Sequence, residues 1–396
     1  MKTTIRLSKL LFENYPKEAT KLTDILNKHL INYEVLEDTK DIWARDFMPL
    51  SLDDGTLVSY IYEPDYLKDE KYVHSKTTIS FEKIHLDLII DGGNFVRYKN
   101  KAIMTDKIFE ENPTKTKDEI IKIIKSKCKL DDLIIIPKQP YDTFGHSDSM
   151  VRWIDENSVL INDFSIESKT FNDKLLKALK AHNLTIKTMK YSNTFFTKDR
   201  NWGAYLNFIK IGNLIIVPVY GIDEDILALN QIQNIYSNCI IDPVEFNAII
   251  NEGGAIHCIT SEKILIDEYL ILEVLESSFK VLKFKIKDKN PFILEYKEFK
   301  KEEIEDLKDY LKNQNSYFIA SFNKTFYDYQ IENIINDFSK SNINFNKIVS
   351  EIFAINFALK IKKDIKNGWL DLGDFRHIVL NGLVWFLIEE MDKREV

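Results

Sequence analysis

The chain has 396 residues, of which 44% are hydrophobic and 29% charged, a balance typical of ordinary globular proteins. A formal net charge of −8 argues against nucleic acid as the main partner, because phosphate binding needs a basic surface. Three cysteines in so long a chain exclude a disulfide framework. We find no apolar stretch of signal-peptide length at the N-terminus, and none reaches the roughly 18 residues of a membrane span. We therefore expect a cytoplasmic protein without a membrane partner.

The predicted elements alternate along the chain between an amphipathic helix and a short buried strand. Helical spacing predicts a first helix over residues 17–30, and a strand follows at Tyr33–Leu36. The same order recurs in later pairs: Lys117–Lys127 with Leu133–Pro137, Phe171–His182 with Leu184–Met189, and Glu224–Tyr236 with Cys239–Ile241. Further apolar runs are Ala102–Met104, Val159–Ile161 and Leu214–Val219. Residues 59–88 form the least regular copy, with a weak or missing helix.

Polar clusters recur between these elements at a nearly fixed period. They are Trp43–Asp46, Asp91–Asn94, Gly145–Asp148, Asn201–Gly203 and Gly253–Cys258. From Asp91 to His146 is 55 positions, from His146 to Gly203 is 57, and from Gly203 to Cys258 is 55. Such a period predicts a repeated supersecondary unit, here helix, strand, polar cluster and strand. About five units fit within residues 1–275, so we predict a pseudo-symmetric α/β array whose clusters converge on one centre.

The rhythm ends near residue 275. Lys280–Lys287 alternates apolar residues with lysines, which predicts a half-exposed strand. Helical spacing follows in several segments, at about 304–311, 327–338, 348–361 and 377–391. We therefore predict a mainly helical second domain over 276–396, whose sequence does not indicate its role.

Cys258 is the strongest candidate for a nucleophile. It follows a double glycine, which permits close backbone approach, and a thiol becomes reactive where a nearby cation lowers its pKa. Cys128 and Cys239 lack that context and are interpreted as structural.

His146 is the natural acid/base partner. Asp148 lies two residues on, so in a strand both side chains would enter one cleft. The adjacent His257 is less favoured, because neighbours on an extended segment face opposite sides. The Trp202-Gly203 unit offers no titratable group and is interpreted as pocket wall.

Asp46 and Asp91 add two carboxylates within apolar flanks. Buried carboxylates are costly unless they meet a cation, and a planar cation with many donors suits paired aspartates best. We therefore expect a cationic small-molecule ligand. No C-x-x-C or H-x-x-x-H spacing supports a metal site, and no G-x-G-x-x-G or P-loop supports a nucleotide, so we expect neither metal nor cofactor.

Four of these motifs, in this order, resemble the guanidino-modifying enzymes, and within them the agmatine deiminase and bacterial peptidyl-arginine deiminase group. The matching segments are Asp41–Asp46, Asp91–Asn94, Gly145–Asp148 and Gly253–Thr260. The resemblance covers roughly residues 30–265. It implies the five-bladed α/β propeller called the pentein fold, which agrees with the repeat count.

The resemblance also implies residue roles. Cys258 would be the nucleophile and His146 the general acid/base, oriented by Asp91. Asp46 and Asp148 would hold the guanidinium nitrogens, and Trp43 could stack on the cation. The thiolate would attack the guanidinium carbon to form a thiouronium intermediate, and water would release a ureido product.

The sequence departs from the family pattern near the proposed pocket. Phe47-Met48 precedes Pro49 where a glycine is usual, and Glu252 replaces the first of three glycines before Cys258. The substrate therefore stays open between agmatine, arginine and peptidyl-arginine. Amidino transfer, a papain-like peptidase, and a guanidino-ligand sensor remain alternatives. The second domain could form a homo-oligomer or contact a protein partner.

Overall fold

A computed structural model describes residues 2–77, 84–140, 142–165, 167–192, 204–265, 268–287, 290–312, 317–322 and 346–350. The chain divides into two compact units. One comprises residues 3–264, and the other residues 265–396 with the first two residues of the chain. No helix within the described segments is long and apolar enough to cross a bilayer.

The first unit contains short strands and helices that alternate. Its strands are β1 (Lys2–Ser8), β2 (Asn32–Leu36), β3 (Leu50–Ser51), β4 (Leu57–Ile61), β5 (Ile84–Ile89), β6 (Val96–Tyr98), β7 (Lys101–Thr105), β8 (Asp132–Ile136), β9 (Val151–Asp155), β10 (Ser158–Ile161), β11 (Thr185–Thr188), β12 (Ile209–Ile211), β13 (Leu214–Val219), β14 (Ile240–Glu245) and β15 (Thr260–Leu265). Its helices are α1 (Lys9–Asn14), α2 (Pro16–Lys28), α3 (Ala44–Phe47), α4 (Lys107–Glu111), α5 (Lys117–Lys127), α6 (Lys169–Ala181), α7 (Glu224–Ile235) and α8 (Ile256–Ile259).

These strands form five three-stranded sheets. Four share one plan: an antiparallel hairpin, then a crossover, then a third strand parallel to the second. They are β3-β4-β5, β6-β7-β8, β9-β10-β11 and β12-β13-β14. The fifth has the order β15-β1-β2, so the first and last strands of the unit share a sheet. The predicted repeat therefore corresponds to one sheet with its crossover.

The crossover helices agree closely with the sequence prediction. Helix α5 has the predicted bounds because Thr116 caps it: the Thr116 hydroxyl accepts from the Glu119 amide, and the Glu119 carboxylate accepts from the Thr116 amide. In the least regular copy, between β4 and β5, the described residues form only 3₁₀ turns at 65–68 and 73–75. The prediction of a weak or missing helix is therefore confirmed for the described part of that crossover.

Apolar faces of the helices pack on the sheets in three clusters. Leu22 of α2 belongs to the cluster around Ile215, and Ile120 of α5 to the one around Leu86. The third cluster contains Val159 of β10 and Leu175 of α6. Full burial of each such side chain stabilises the fold by about 1.5–3 kcal/mol. The packing fixes the strand ends from which the polar clusters extend.

The second unit has more strand than was predicted. The elements of its described residues are β16 (Glu268–Val274), β17 (Ser278–Lys287), β18 (Asn290–Lys300), α9 (Ile304–Lys312), β19 (Tyr317–Phe322) and β20 (Asn346–Ser350). The strands form one sheet in the order β18-β17-β16-β19-β20. The predicted strand near 280–287 and the predicted helix near 304–311 are confirmed.

The prediction of a mainly helical unit over 276–396 does not hold for its described residues. The helical pattern assigned to 348–361 begins in strand β20, where Ile348 pairs with Ala320 of β19. Short apolar runs fit both periods, and sheet pairing decides between them. The patterns at 327–338 and 377–391 lie outside the described residues. The boundary between the units lies before residue 275 because β16, which begins at Glu268, pairs with β17.

Candidate active site

The polar clusters follow the third strands of successive sheets. Asp91 comes after β5, His146 after β8 and Cys258 after β14, while Asp46 lies on α3 beyond β2. The clusters contact one another directly, since the Asp148 amide donates to the Gly93 carbonyl over 3.1 Å. All four of the expected clusters that the structure describes therefore meet, as the sequence predicted. Asn201–Gly203 lies outside the described residues.

His146 lies between two carboxylates. Its Nε2 is 3.0 Å from Asp91 Oδ2, the distance of a close ion pair. Its Nδ1 is 3.8 Å from Asp46 Oδ1. Burial opposes protonation of the ring, but Asp91 and Asp46 outweigh it and raise the pKa of His146 to about 10. The imidazole is therefore a cation at neutral pH.

Two glycines are required for this close packing. A Cβ atom on Gly93 would stand 2.3 Å from His146 Nδ1 and 2.8 Å from Asp46 Oδ1. A Cβ atom on Gly254 would stand 2.5 Å from Cζ3 of Trp43. Both glycines therefore allow neighbouring groups to approach the backbone closely, as was expected for the double glycine before Cys258.

Asp148 and Cys258 meet on the other side of the site. Asp148 Oδ2 is 3.6 Å from Cys258 Sγ and accepts a hydrogen bond of 2.6 Å from Nδ1 of His257. Asp148 Oδ1 is buried and accepts no hydrogen bond from the residues that the structure describes. Burial would raise the pKa of Asp148, but the His257 hydrogen bond and nearby cations lower it to about 2.

Asn207 is a site residue that the sequence did not reveal. Its Nδ2 donates to Cys258 Sγ over 3.1 Å, while its Oδ1 accepts from the amides of Ala255 and Cys258. It belongs to the unit that was interpreted as pocket wall. An amide does not titrate, so Asn207 lacks the ionisable group that marked the other site residues in the sequence. Its position four residues after Gly203 of the 55-residue rhythm was the available signal.

The prediction that His257 lies on an extended segment was wrong. Residues 256–259 form the short helix α8, not an extended segment, and His146 and Asp148 lie in a loop rather than a strand. His257 contacts Asp148 through its Nδ1 atom. Burial, with the charges of Arg152 and Arg45, lowers the pKa of His257 to about 3, so the ring is neutral and donates through Nδ1.

The environment of the thiol favours its neutral form. Burial and the charges of Asp148 and Asp46 raise the pKa of Cys258 well above its usual value. Burial raises the pKa of Asp46, and the charge of His146 opposes that rise. A cation bound next to Asp46, Asp148 and Cys258 would lower the pKa values of Asp46 and Cys258, because it would favour the charged forms of the carboxyl and the thiol.

A small cavity of about 40 Å³ opens onto these groups. Trp43, Asp46, His146 and Cys258 line it. The lining also includes aromatic residues and two further carboxylates, namely Asp41, Tyr62, Tyr66, Tyr72, Phe144 and Glu252. Glu252 is exposed and therefore stands at the mouth. Arginine and lysine are absent from the described lining, which we call the acidic cavity.

Metal-binding clusters of three or more His, Cys, Asp or Glu side chains are absent from the described residues. Each site carboxylate instead faces a histidine, an amide or the thiol. The arrangement therefore presents a thiol and an imidazolium to a bound cation.

Comparison with known proteins gives a consistent result. Residues 10–263 match the family of Porphyromonas-type peptidyl-arginine deiminases. A relative in Mycoplasma capricolum, which carries the provisional name agmatine deiminase, is 26% identical over 311 residues, covering 66% of this chain and 83% of that protein. A structure of the C. jejuni agmatine deiminase aligns with a TM-score of 0.52 at 18% identity, covering 66% of this chain and 93% of that one.

The fold and the matched region define a pentein-type α/β enzyme of the amidine hydrolase class, which deiminates guanidino groups. The chain belongs to the Porphyromonas-type peptidyl-arginine deiminase family.

Proposed function

We propose that this enzyme hydrolyses agmatine, or a guanidino compound with a similar amine tail, to ammonia and a ureido product. The five sheets would be the five blades of the pentein propeller, with the first unit, residues 3–264, as the catalytic domain. The observation that carries the choice of substrate is the acidic cavity: Asp41, Asp46 and Glu252 line it, and its described lining contains neither arginine nor lysine. A second cation at the far end of the substrate suits this lining better than the carboxylate of arginine.

The guanidinium would be held between Asp46 and Asp148. The unpaired Oδ1 of Asp148 is available to its N–H groups, and Trp43 offers a ring face to the planar cation. Because Asp46 and Asp148 hold the pKa of Cys258 high, neutralising them with the substrate lowers that pKa and releases the thiol proton to solvent. The reactive thiolate therefore forms when substrate is bound.

The Cys258 thiolate would then attack the guanidinium carbon. The protonated His146 gives its proton to the departing nitrogen, and ammonia leaves from the tetrahedral adduct to form a thiouronium. The neutral imidazole next takes a proton from water, whose oxygen adds to the same carbon. Collapse of this second adduct expels the Cys258 thiolate and yields the ureido product. Asp91 holds His146 in place, and no cofactor takes part.

A structure of the C. jejuni agmatine deiminase with one cysteine replaced by serine and substrate bound supports the role of the thiol. The direct test incubates the protein with agmatine, arginine and arginyl peptides, followed by a colour assay for ureido groups. We expect product from agmatine and at least about 100-fold lower kcat/KM with arginine, the cost of placing a carboxylate among like charges.

The substitution Glu252→Gln tests the amine-tail proposal. Removing the carboxylate at the mouth should raise KM for agmatine about five- to tenfold and leave kcat nearly unchanged, because the contact is the same in ground and transition states. The exposed Glu13→Gln, which removes an equal charge elsewhere, should change neither constant. Faster turnover of arginine than of agmatine would contradict the proposed substrate. Absence of any ureido product from folded protein would contradict the reaction.

A further inference from the structure

A second, larger cavity of about 330 Å³ lies in the same unit. Neighbouring residues supply both cavities: Arg45 lines the second and Asp46 the first, and His257 lines the second and Cys258 the first. The two cavities therefore lie next to the same two chain segments. Its volume falls within the usual range of small-ligand sites. We call it the basic cavity.

The charges that line the basic cavity have a positive surplus. Its cations are Arg45, Arg97, Arg152 and Lys210, and its carboxylates are Asp53 and Glu262. His257 adds no charge at neutral pH, because its pKa is low. Two positive charges therefore remain uncompensated by the described lining, in a concave site that concentrates the field.

The carboxylates do not satisfy the guanidinium groups. Arg45 pairs with Glu262 through Nη1 over 2.6 Å and donates from Nε to the His257 carbonyl, but its buried Nη2 has no hydrogen-bond partner among the described residues. Arg97 lies 3.8 Å from Asp53, and its buried Nη1 is likewise without a described hydrogen-bond partner. An unpaired donor of a buried charge costs free energy until an acceptor arrives.

Arg152 adds a third guanidinium with no described ion pair. It donates from Nη2 to the Phe208 carbonyl and lies 4.8 Å from the centroid of the Phe208 ring. Arg6 does not line the cavity but donates to the Ser261 hydroxyl and the Glu262 carbonyl. A further buried cation therefore contacts two residues of the lining. Rigid guanidinium forks that converge on one space match oxyanions such as carboxylate and phosphate.

We propose that the basic cavity binds a small oxyanion, a carboxylate or a phosphate, through Arg45, Arg97 and Arg152. This site is separate from the one at which the guanidino substrate reacts. The anion neutralises the two surplus positive charges of the lining.

Isothermal titration of the full chain with inorganic phosphate, and separately with acetate, tests the proposal at constant chloride. We expect saturable binding of one anion per chain for at least one of the two, and the tighter of them identifies the class of ligand. Arg97→Gln should weaken it at least tenfold, because one donor fork is lost. Lys187→Gln, an exposed strand residue outside the cavity, removes the same charge and should leave binding unchanged.

Further variants keep the test decisive. The exposed Lys210→Gln should fold normally and weaken binding about threefold, since a solvated lysine contributes less than a buried fork. Cys258→Ala should bind the anion as tightly as the wild type, so a failure of the proposed reaction leaves this result unaffected. Absence of saturable binding up to roughly 10 mM, well above millimolar affinity, would overturn the proposal. So would equal losses in Arg97→Gln and Lys187→Gln, which would indicate a general charge effect.

Discussion

The acidic and basic cavities use the same residue type in opposite electrostatic settings. His146 faces Asp91 and Asp46, and their charges raise its pKa to about 10. His257 is buried beside Arg152 and Arg45, and its pKa falls to about 3. The two rings are equally buried, so burial does not distinguish them. The sign of the neighbouring charges decides which histidine can give up a proton in a reaction.

The largest expected effect is on the acidic cavity. Cys258→Ala should reduce kcat for ureido formation by at least about 10⁴-fold, because the bond-forming atom is removed. Substrate should still bind, since the aspartates remain. Cys239→Ser, a partly buried cysteine that does not line either cavity, should keep turnover near the wild-type value. Substantial turnover in Cys258→Ala would mean that the reaction takes place elsewhere.

A smaller loss of activity is expected from a negative charge placed next to the Cys258 thiol. Asn207→Asp would put a carboxylate about 3.1 Å from Sγ, where the amide now donates. The thiol pKa should rise further, and kcat/KM should fall roughly 100-fold. The pH dependence of alkylation by iodoacetamide would report the pKa shift. Asn213→Asp, an exposed position, serves as the control and should alter neither quantity. Unchanged alkylation in Asn207→Asp would remove Asn207 from the site.

The smallest expected effect is on the free energy of unfolding, and it distinguishes His257 from His146. Below pH 6.5 the unfolded chain takes up a proton at residue 257, whereas the folded chain does not until about pH 3, so acid destabilises the wild type. Between pH 7 and 5 this costs the wild type about 2 kcal/mol, a cost that His257→Gln escapes. The difference in free energy of unfolding between the two proteins should therefore shrink on acidification.

His146 should show the opposite sign. Its folded pKa lies above the unfolded value, so its stabilising contribution is complete below pH 6.5 and is lost as the pH rises towards 10. The stability difference between wild type and His146→Gln should therefore grow on acidification. Urea unfolding at pH 7 and pH 5 measures both. If both stability differences changed in the same direction between pH 7 and pH 5, the charges around the two cavities would not be what sets the two pKa values.

Much of the catalytic unit could be predicted because each level of the sequence agreed with the next. Thr116 and Glu119 cap the helix that the apolar spacing predicts, and Asp91 and His146 follow strands whose ends converge. Asn207 could not be recognised, since a neutral amide resembles any turn residue until its neighbours are known. The basic cavity was missed because Arg97 and Arg152 lie on strands, outside any polar cluster. In the second unit, pairing of β20 with β19 overrode a helical pattern.

The shared sheet of β1 and β15 has a consequence for the synthesis of the protein. Strand β1 leaves the ribosome before the rest of its unit, and its partner β15, which directly follows the Cys258 helix, emerges more than 250 residues later. Contacts of such separation form late, because chain entropy opposes them until the rest is in place. During most of translation β1 therefore has an unpaired edge, a surface prone to wrong pairing. The thiol acquires its neighbours in the same late step, so a partly made chain carries no assembled active site.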